Sequence, residues 1–312
     1  MILIITHRDD FTVDFLVKEL NSKSIPYYRF NCEDILQKNN IAISLDDQVK
    51  AVVNDISKFE SVWFRRTKHP DLHELDVDTR KYAYSEIDFF LSNLWLTIKT
   101  DRWLSQPDKV YLAENKLLQL KLAGELGLQI PKTLVTGDSA AIKNFYREVG
   151  GEMIIKPLFQ NRVVKDGKER LIFTNKVVPT DLDQIEKRIP LPSIYQRYIE
   201  KKEEFRVTVV HDTAFCASVD SQSDIETRVD WRRKKLKFKA SNIPKEVKNS
   251  CINLVHALGL SFGAIDLVVD NSGDFYFFEI NPNGQWAWIE LDTGLMISDS
   301  IIKFLTHGKY GR

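Results

Sequence analysis

Apolar and polar positions along this chain recur with two periods, and the switches between them lay out its elements. Ile2-Leu3-Ile4-Ile5-Thr6 is a short apolar run of the kind that fills a buried strand. Phe11, Phe15, Leu16 and Leu20 then fall on one helical face. Residues 25–30 and 61–65 read as further strands, and the β-α-β order predicts a partly parallel sheet. A long helix is expected from about residue 80 to 103, with Tyr84, Ile87, Leu91, Trp95 and Ile98 at steps of three and four.

A second helix is predicted over 114–126, ended by Gly127 and followed by Ile130-Pro131. Strand 133–136, helix 138–149 and strand 153–156 come next, with Gly150-Gly151 stopping the helix. In 162–173 an Asp166-Gly167 pair separates two β-prone runs, a strong hairpin signal. Residues 194–199 form a strand running into a charged turn. Phe205, Val207 and Val209 alternate with Arg206 and Thr208, which predicts a half-buried strand turned back at His211-Asp212 into 213–219. Pro244 opens a helix with Val247, Cys251, Leu254, Val255 and Leu258 on one face, closed by Gly259. Strands 264–269 and 275–280 make a last hairpin, and Ile297, Ile301, Ile302 and Leu305 mark a final helix.

Polar residues that interrupt these patterns are the candidates for chemistry. Phe275-Tyr276-Phe277-Phe278-Glu279-Ile280-Asn281 carries a carboxylate and an amide inside an apolar strand. Alternation places Glu279 and Asn281 on one face and Phe278 and Ile280 on the other, and Asp266 lies on the partner strand. Two carboxylates and an amide oxygen suit a hard cation such as Mg²⁺, which shares its oxygen ligands with phosphates. The same residues would also satisfy hydrogen bonds or an ion pair with a nearby arginine. Lys156 ends an apolar strand before Pro157, and Lys116 sits near a helix start; each could meet an anion or simply be solvated. The turn from Gln196 through Arg197, Tyr198 and Ile199 to Glu204 offers backbone groups to a planar heterocycle and a carboxylate to a ribose, or is a charged, solvated turn. Arg206 faces away from its apolar neighbours. Asp230-Trp231-Arg232-Arg233 opens a basic run through Lys239, suited to anion binding by one or two arginines.

Charge and composition narrow the function classes. Lys+Arg and Asp+Glu both count 44, so the formal net charge is zero, which argues against bulk attraction to nucleic acid or an anionic membrane. Cys32, Cys216 and Cys251 lie far apart without metal-type spacing and read as free thiols of a reducing cytoplasm. The N-terminal run has no basic flank and reads as a strand, not a signal peptide, and the apolar segment 89–98 is too short to span a bilayer. The chain has no Gly-x-Ser-x-Gly, no Gly-x-x-x-x-Gly-Lys-[Ser/Thr] and no Gly-x-Gly-x-x-Gly. Pro70 breaks the helical spacing of His69 and His73, so no metal is expected there.

The order Lys116, Lys156, the 196–199 hinge, Glu204-Phe205-Arg206, then Asp266, Glu279 and Asn281 resembles the ATP-grasp superfamily. Glu279-Ile280-Asn281-Pro282-Asn283-Gly284-Gln285-Trp286, Asp230-Trp231-Arg232, Phe205-Arg206-Val207-Thr208-Val209-Val210 and the start Met1-Ile2-Leu3-Ile4-Ile5-Thr6 resemble the microviridin-type, or graspetide, ligases that macrocyclise ribosomal peptides. The resemblance covers essentially the whole chain and is most specific in its C-terminal third. It implies an α/β ATP-grasp fold: an N-terminal pre-ATP-grasp α/β domain (1–110), a central small α+β subdomain (111–195) with hairpin 162–173, and a C-terminal α+β subdomain (196–312) with the metal site.

The resemblance also implies roles, with ATP and Mg²⁺ as cofactors. Lys116 and Lys156 would contact phosphates, Lys156 also lying near adenine. Gln196 and the backbone of Arg197, Tyr198 and Ile199 would meet the adenine, with Glu204 on the ribose. Asp266, Glu279 and Asn281 would hold Mg²⁺, and Arg206 and Arg232 would stabilise the transferring phosphoryl group or the substrate carboxylate. Arg197 departs from the glutamate of many relatives, and the Pro157-Leu158-Phe159-Gln160-Asn161-Arg162 loop lacks the usual phosphate-covering glycines. The peptide-modifying ligases that this chain resembles share that feature and engage a leader peptide with this hairpin region, so the resemblance implies that hairpin 162–173 is a leader-docking element and not an ATP flap. The implied partner is a precursor peptide with a leader and an acidic, hydroxyl-rich core; the implied assembly is a cytoplasmic homodimer without nucleic acid or membrane. The implied reaction joins Glu or Asp side chains, through acyl phosphates, to Thr, Ser or Lys side chains. The alternative is a ligase that joins a free amino acid or small amine to a peptide or metabolite. A third class, a nucleotide-binding regulator without turnover, fits poorly with a complete Asp266, Glu279 and Asn281 set.

Overall fold

The structure is a computed structural model. It describes residues 1–159, 162–165, 168–187 and 189–309, with backbone alone at 162, 164, 165, 168 and 169. The first strand, β1 (Ile2–Thr6), is buried along its whole length because both faces of its sheet are covered. Helix α1 (Phe11–Ser22) buries Val13, Leu16 and Leu20, and Asp10 caps it by accepting from the N–H groups of Thr12 and Val13. Strand β2 (Tyr27–Asn31) is followed by a hairpin, β3 (Ile41–Leu45) and β4 (Val49–Val53), additional to the strands expected at 25–30 and 61–65. Strand β5 (Ser61–Phe64) leads to α2 (Val77–Thr97).

Helix α2 stops short of the expected residue 103. The apolar steps end at Ile98, which turns extended (ψ 121°), and Trp103-Leu104 become β6, parallel to Val62-Trp63. The four-stranded sheet is thus parallel throughout, in the order β2-β1-β5-β6. The helix expected from 114 divides in two: α3 (Pro107–Ala113), opened by proline, and α4 (Lys116–Glu125). Asn115 separates them, accepting from the N–H groups of Leu117 and Leu118, so Lys116 is the first residue of a new helix.

The central sheet is antiparallel, in the order β11-β8-β12-β7: β7 (Thr133–Thr136), β8 (Met153–Lys156), β11 (Asn175–Lys176) and β12 (Ser193–Arg197). Helix α5 (Ser139–Glu148), capped by Asp138, packs Ile142 and Phe145 on it. Strands β9 (Arg162–Lys165) and β10 (Lys168–Leu171) pair as the expected hairpin; its Asp166-Gly167 turn, and Gln160 and Asn161 before it, lie outside the described residues. A short helix, α6 (Pro179–Asp183), lies between β11 and β12.

The C-terminal sheet runs β15-β14-β13-β16-β17. Its strands are β13 (Lys201–Val210), β14 (Thr213–Val219), β15 (Lys239–Ala240), β16 (Phe262–Asp270) and β17 (Phe275–Asn281). Strand β13, expected half-buried, is buried from Glu204 to Val210. Phe205, Val207 and Val209 share a core with Cys251, Leu254 and Val255 of α7 (Lys245–Ala257), while Val210, on the other face, joins a core with Phe238 and Trp286. That second core also holds Ile2, Ile4, Leu16, α8 (Ala287–Thr293) and α9 (Ile297–Leu305), so the two ends of the chain fold around one apolar interior. Trp286 is fully buried with Phe15 edge-on at 5.8 Å, a packing residue. Among the described residues no helix is long and apolar enough to cross a membrane.

One buried ion pair ties the first domain to the turn after β17. Arg65 is 1% exposed, its Nε lies 3.4 Å from Asp10 Oδ2, and its Nη1 donates to the carbonyl oxygens of Asn283 (3.1 Å) and Gly284 (3.3 Å). Asn283 Nδ2 donates back to the Arg65 carbonyl at 3.1 Å, and Thr12 Oγ1 donates to Gln285 Oε1 nearby. Removing one member of such a pair strands the other charge. Asp10→Ala is expected to destabilise the fold by about 3–5 kcal/mol. Urea unfolding checks this, and a loss below about 1 kcal/mol, the scale of an exposed pair, would show that Arg65 does not depend on Asp10.

Candidate active site

The register of the last hairpin sets Asp266 on β16 directly opposite Glu279 on β17. A β-bulge follows, because Leu267 pairs with Phe277 and leaves Phe278 without a partner across the ladder. Strict alternation therefore reverses before Glu279. Ile280 enters the core as expected, but Phe277, which alternation places with Glu279 and Asn281, enters it too, and Phe278 lines the same cleft as Glu279 and Asn281 and not the opposite face.

On its other side Asp266 lies opposite Arg206 of β13, whose Nη1 donates to Oδ1 at 2.6 Å. Gly284 closes over this pair: a Cβ there would meet the Ala264 Cβ at 2.4 Å and Arg206 Nη2 at 3.1 Å, so a side chain would displace the arginine. Arg232 lies in a helical turn, 231–233, capped by Asp230. It forms a two-pronged pair with that carboxylate (Nε–Oδ1 2.8 Å, Nη2–Oδ2 2.7 Å), and its Nη1 reaches to 3.7 Å from Glu279 Oε1. Asp230 is in turn held by the Thr174 N–H at 3.2 Å.

The lysines arrive from a helix start and from the end of a central-sheet strand. Lys116, at the start of α4, donates to the Pro157 carbonyl at 2.9 Å. Lys156, at the end of β8, makes no hydrogen bond or ion pair among the described residues. Burial pushes its ammonium down to about 8, opposed by the Glu279 carboxylate, and burial also lowers Lys116. Burial and the neighbouring Glu279 charge raise Asp266 to about 6 against the pull of Arg206. Burial acts on Glu279 in the same sense, but Arg232, Lys156 and Lys116 outweigh it and hold that carboxylate below its usual range.

The hinge forms the other wall. Gln196 Nε2 donates to Thr133 Oγ1 at 2.8 Å. The N–H groups of Arg197 and Tyr198 are engaged by the carbonyls of Lys132 (2.9 Å) and Glu152 (2.8 Å), whereas the Ile199 N–H meets no acceptor among the described residues. Glu204 is not in a solvated turn: it is 7% exposed and accepts from the 4%-exposed Lys201 at 2.6 Å. Lys201, absent from the sequence candidates, also donates to the Val229 carbonyl at 3.2 Å. Residues three apart in a strand normally face opposite ways; a bulge between Lys201 and Glu203 brings this pair together. All the sequence candidates line this one cleft except Arg206, which meets it through Asp266.

A neighbouring groove shares Lys116, Phe159, Glu279 and Asn281 with the cleft and adds Arg66, Glu114 and Asn283. Burial raises Glu114 above the usual carboxylate range, opposed by Arg66. No motif singles out Glu114; its position beside the α4 cap becomes meaningful only when that helix end meets β17.

The residues fit a magnesium nucleotide. Asp266, Glu279 and Asn281 are an all-oxygen donor set without histidine or cysteine. Lys116, Lys156, Arg206 and Arg232 exceed the carboxylates of Asp230, Asp266 and Glu279, and the unpartnered Lys156 leaves a cation for a polyphosphate. Fold and site together define an ATP-grasp ligase.

Residues 1–111 match the MvdD pre-ATP grasp domain and residues 113–305 match the RimK-like ATP-grasp domain. The macrocyclase MdnB from Microcystis aeruginosa MRC is 30% identical, with 98% of this chain and 99% of that chain covered and a TM-score of 0.81. A RiPP-associated ATP-grasp ligase from Chryseobacterium gregarium, solved with ADP and a leader and core peptide, is 27% identical, with 98% and 96% covered and a TM-score of 0.87. A curated relative, the probable alpha-L-glutamate ligase of Syntrophotalea carbinolica, is 23% identical over 203 residues, spanning 64% of this chain and 66% of its own length. The chain belongs to the RimK-like ATP-grasp family, among the peptide macrocyclases that MdnB represents.

The two titrating groups set a pH window. A phosphate ligand favours the charged ammonium of Lys156, so nucleotide affinity should fall as pH rises above about 8, with a proton taken up on binding. A metal ligand must be ionised, so metal-dependent affinity should fall as pH drops through about 6, where Asp266 protonates. Calorimetry of nucleotide binding with Mg²⁺ from pH 5 to 9.5 should show both limbs. Lys156→Met should flatten the alkaline limb and Asp266→Asn the acid one. An unchanged limb in the matching variant would remove that residue from the site.

Proposed function

We propose that this chain uses ATP to activate side-chain carboxylates of a ribosomally made precursor peptide and closes them onto hydroxyl or amine side chains as ester or amide rings. The carrying observation is the convergence of Lys116, Lys156, Arg206 and Arg232 on the Asp266–Glu279 pair, at a cleft continuous with a second groove wide of the nucleotide wall. The peptide-bound state of the Chryseobacterium ligase supports a peptide as partner.

In this reading a substrate carboxylate oxygen attacks the γ-phosphorus of ATP, the bond to the β-phosphate oxygen breaks, and ADP leaves an acyl phosphate. A Ser or Thr hydroxyl, or a Lys amine, then attacks the acyl carbon, loses its proton and expels phosphate. Positioning and charge neutralisation dominate such a step. The Ile199 N–H donates to the adenine edge, and Glu204, oriented by Lys201, holds the ribose. Lys116 and Lys156 neutralise phosphate charge. Arg206, braced by Asp266, and Arg232, braced by Asp230, steady the transferring phosphoryl group and the carboxylate. Asp266, Glu279 and Asn281 would hold Mg²⁺, which supplies charge neutralisation at the phosphates when bound. The acceptor side chain approaches along the groove with Glu114, whose raised pKa suits a proton acceptor. The same reading gives β9–β10 the leader-docking role, divides the chain at 110 and 195, and makes it a cytoplasmic homodimer.

The test incubates the protein with ATP, Mg²⁺ and a precursor peptide that carries a leader and an acidic, hydroxyl-rich core. Mass spectrometry should show the loss of one water per ring. Glu279→Gln and Asn281→Ala should each lower turnover on the order of a hundredfold or more without moving the unfolding midpoint. Normal ATP consumption by either variant would overturn the metal assignment. No mass loss, with a mass gain when a free amino acid is supplied, would favour an amino-acid ligase, as the glutamate-ligase relative suggests.

A further inference from the structure

A second group of metal-type side chains lies at the far end of β13, about 17 Å along the strand from Arg206 at roughly 3.4 Å per residue. We propose that His211, Asp212 and His256 bind a zinc-class divalent ion that pins the β13–β14 turn to the end of α7.

Three observations carry this. His211 and Asp212 are the two residues between β13 and β14, and His211 has φ +52°, a left-handed conformation that such turns normally assign to glycine or asparagine. Here the chain places an imidazole in that strained position. His256 sits in the last turn of α7 and brings a second imidazole to the same point. The ligand atoms of all three lie within 4.8 Å of one another. Asp212 stands between the rings, with Oδ2 3.1 Å from His211 Nε2 and Oδ1 3.3 Å from His256 Nε2. The two carboxylate oxygens each face a different imidazole, so the three side chains are already gathered at one point, and side-chain rotation alone would bring one ligand atom from each to the roughly 3.3 Å edge of a tetrahedral zinc site. The three residues are exposed, which leaves the ion an entry path and room for water in the fourth position.

The donor set separates this site from the cleft. Two imidazoles and one carboxylate suit Zn²⁺ or its neighbours, whereas the all-oxygen set of Asp266, Glu279 and Asn281 suits Mg²⁺. The other histidine pair shows the contrast: His69 Nε2 lies 2.8 Å from Asp88 and His73 Nδ1 3.0 Å from Asp71, two separate pairs with no common point. An ion at His211, Asp212 and His256 would tie together two elements that flank the strand carrying Glu204 and Arg206. Its effect would be on the stability of the sheet, independent of which substrate the cleft takes. The competing account is hydrogen bonding alone, since His256 Nε2 also lies 3.3 Å from the His211 carbonyl oxygen.

The experiment uses the full chain in buffer with Mg²⁺ and adds Zn²⁺, with calorimetry and thermal unfolding as readouts, and Co²⁺ as a spectroscopic probe. Wild type should take up one equivalent that His256→Ala and Asp212→Asn do not, with a higher unfolding midpoint. Co²⁺ should give the intense visible bands of a tetrahedral site. His211→Asn suits the same turn, so it should keep or raise the metal-free midpoint while losing the zinc response. Equal zinc uptake in wild type and His256→Ala, absent visible bands, or weak non-stoichiometric uptake without a midpoint change would overturn the site and leave hydrogen bonding as the role of these residues.

Discussion

Two carboxylates face each other across β16 and β17, and cations from four other places in the chain must reach them. Asp266 and Glu279 would repel one another in a buried cleft, and neither could stay ionised there alone. Lys116 comes from a helix start, Lys156 from a strand end, Arg206 from the middle of β13 and Arg232 from a turn. That requirement places the central sheet over the C-terminal one and sets α4 against β17. The charges are deliberately unequal in their partners. Arg206 and Arg232 are each braced by an aspartate, while Lys156 has no partner among the described residues. The braced arginines keep their positions, and the unbraced lysine keeps its charge available.

The N-terminal domain contributes to this cleft through its anchoring. Arg65 grips the carbonyls of Asn283 and Gly284, the residues that leave the metal-type strand, and Asp10 neutralises it in the interior. Gly284 can then sit against Ala264 and Arg206, where no other residue would fit. The path from Asp10 through Arg65 to Gly284 is a chain of direct contacts. The parallel sheet of one domain thereby fixes the turn that closes the reactive end of another.

Much of the fold was legible because most elements obey a single period. The apolar runs of β1 and β5, the stripe of α7 and the final helix all follow from burial of one face, or of both. The errors fall where a boundary depends on a partner. The apolar steps of α2 end at Ile98, but only the sheet edge beyond Val62-Trp63 shows that Trp103 belongs to a strand. Strand β13 reads as half-buried because its second face is polar at Arg206 and Thr208, and only the packing of the chain ends shows that this face is covered too.

For the site, the sequence by itself determined which side chains were available and, through the period of two, that Asp266, Glu279 and Asn281 could share a face. It also supplied the order of lysines, hinge and arginines that marks an ATP-grasp chain. Only the tertiary structure decided what each charge pairs with. Bulges at Phe278 and between Lys201 and Glu203 shift side chains by one position, bringing Phe278 into the cleft and Lys201 onto Glu204. A bulge is a mismatch between two strands, so it belongs to their pairing and not to either strand's residues. Glu114, His211 and His256 are likewise ordinary in sequence, because the helix ends and turns that give them neighbours meet only when the sheets close.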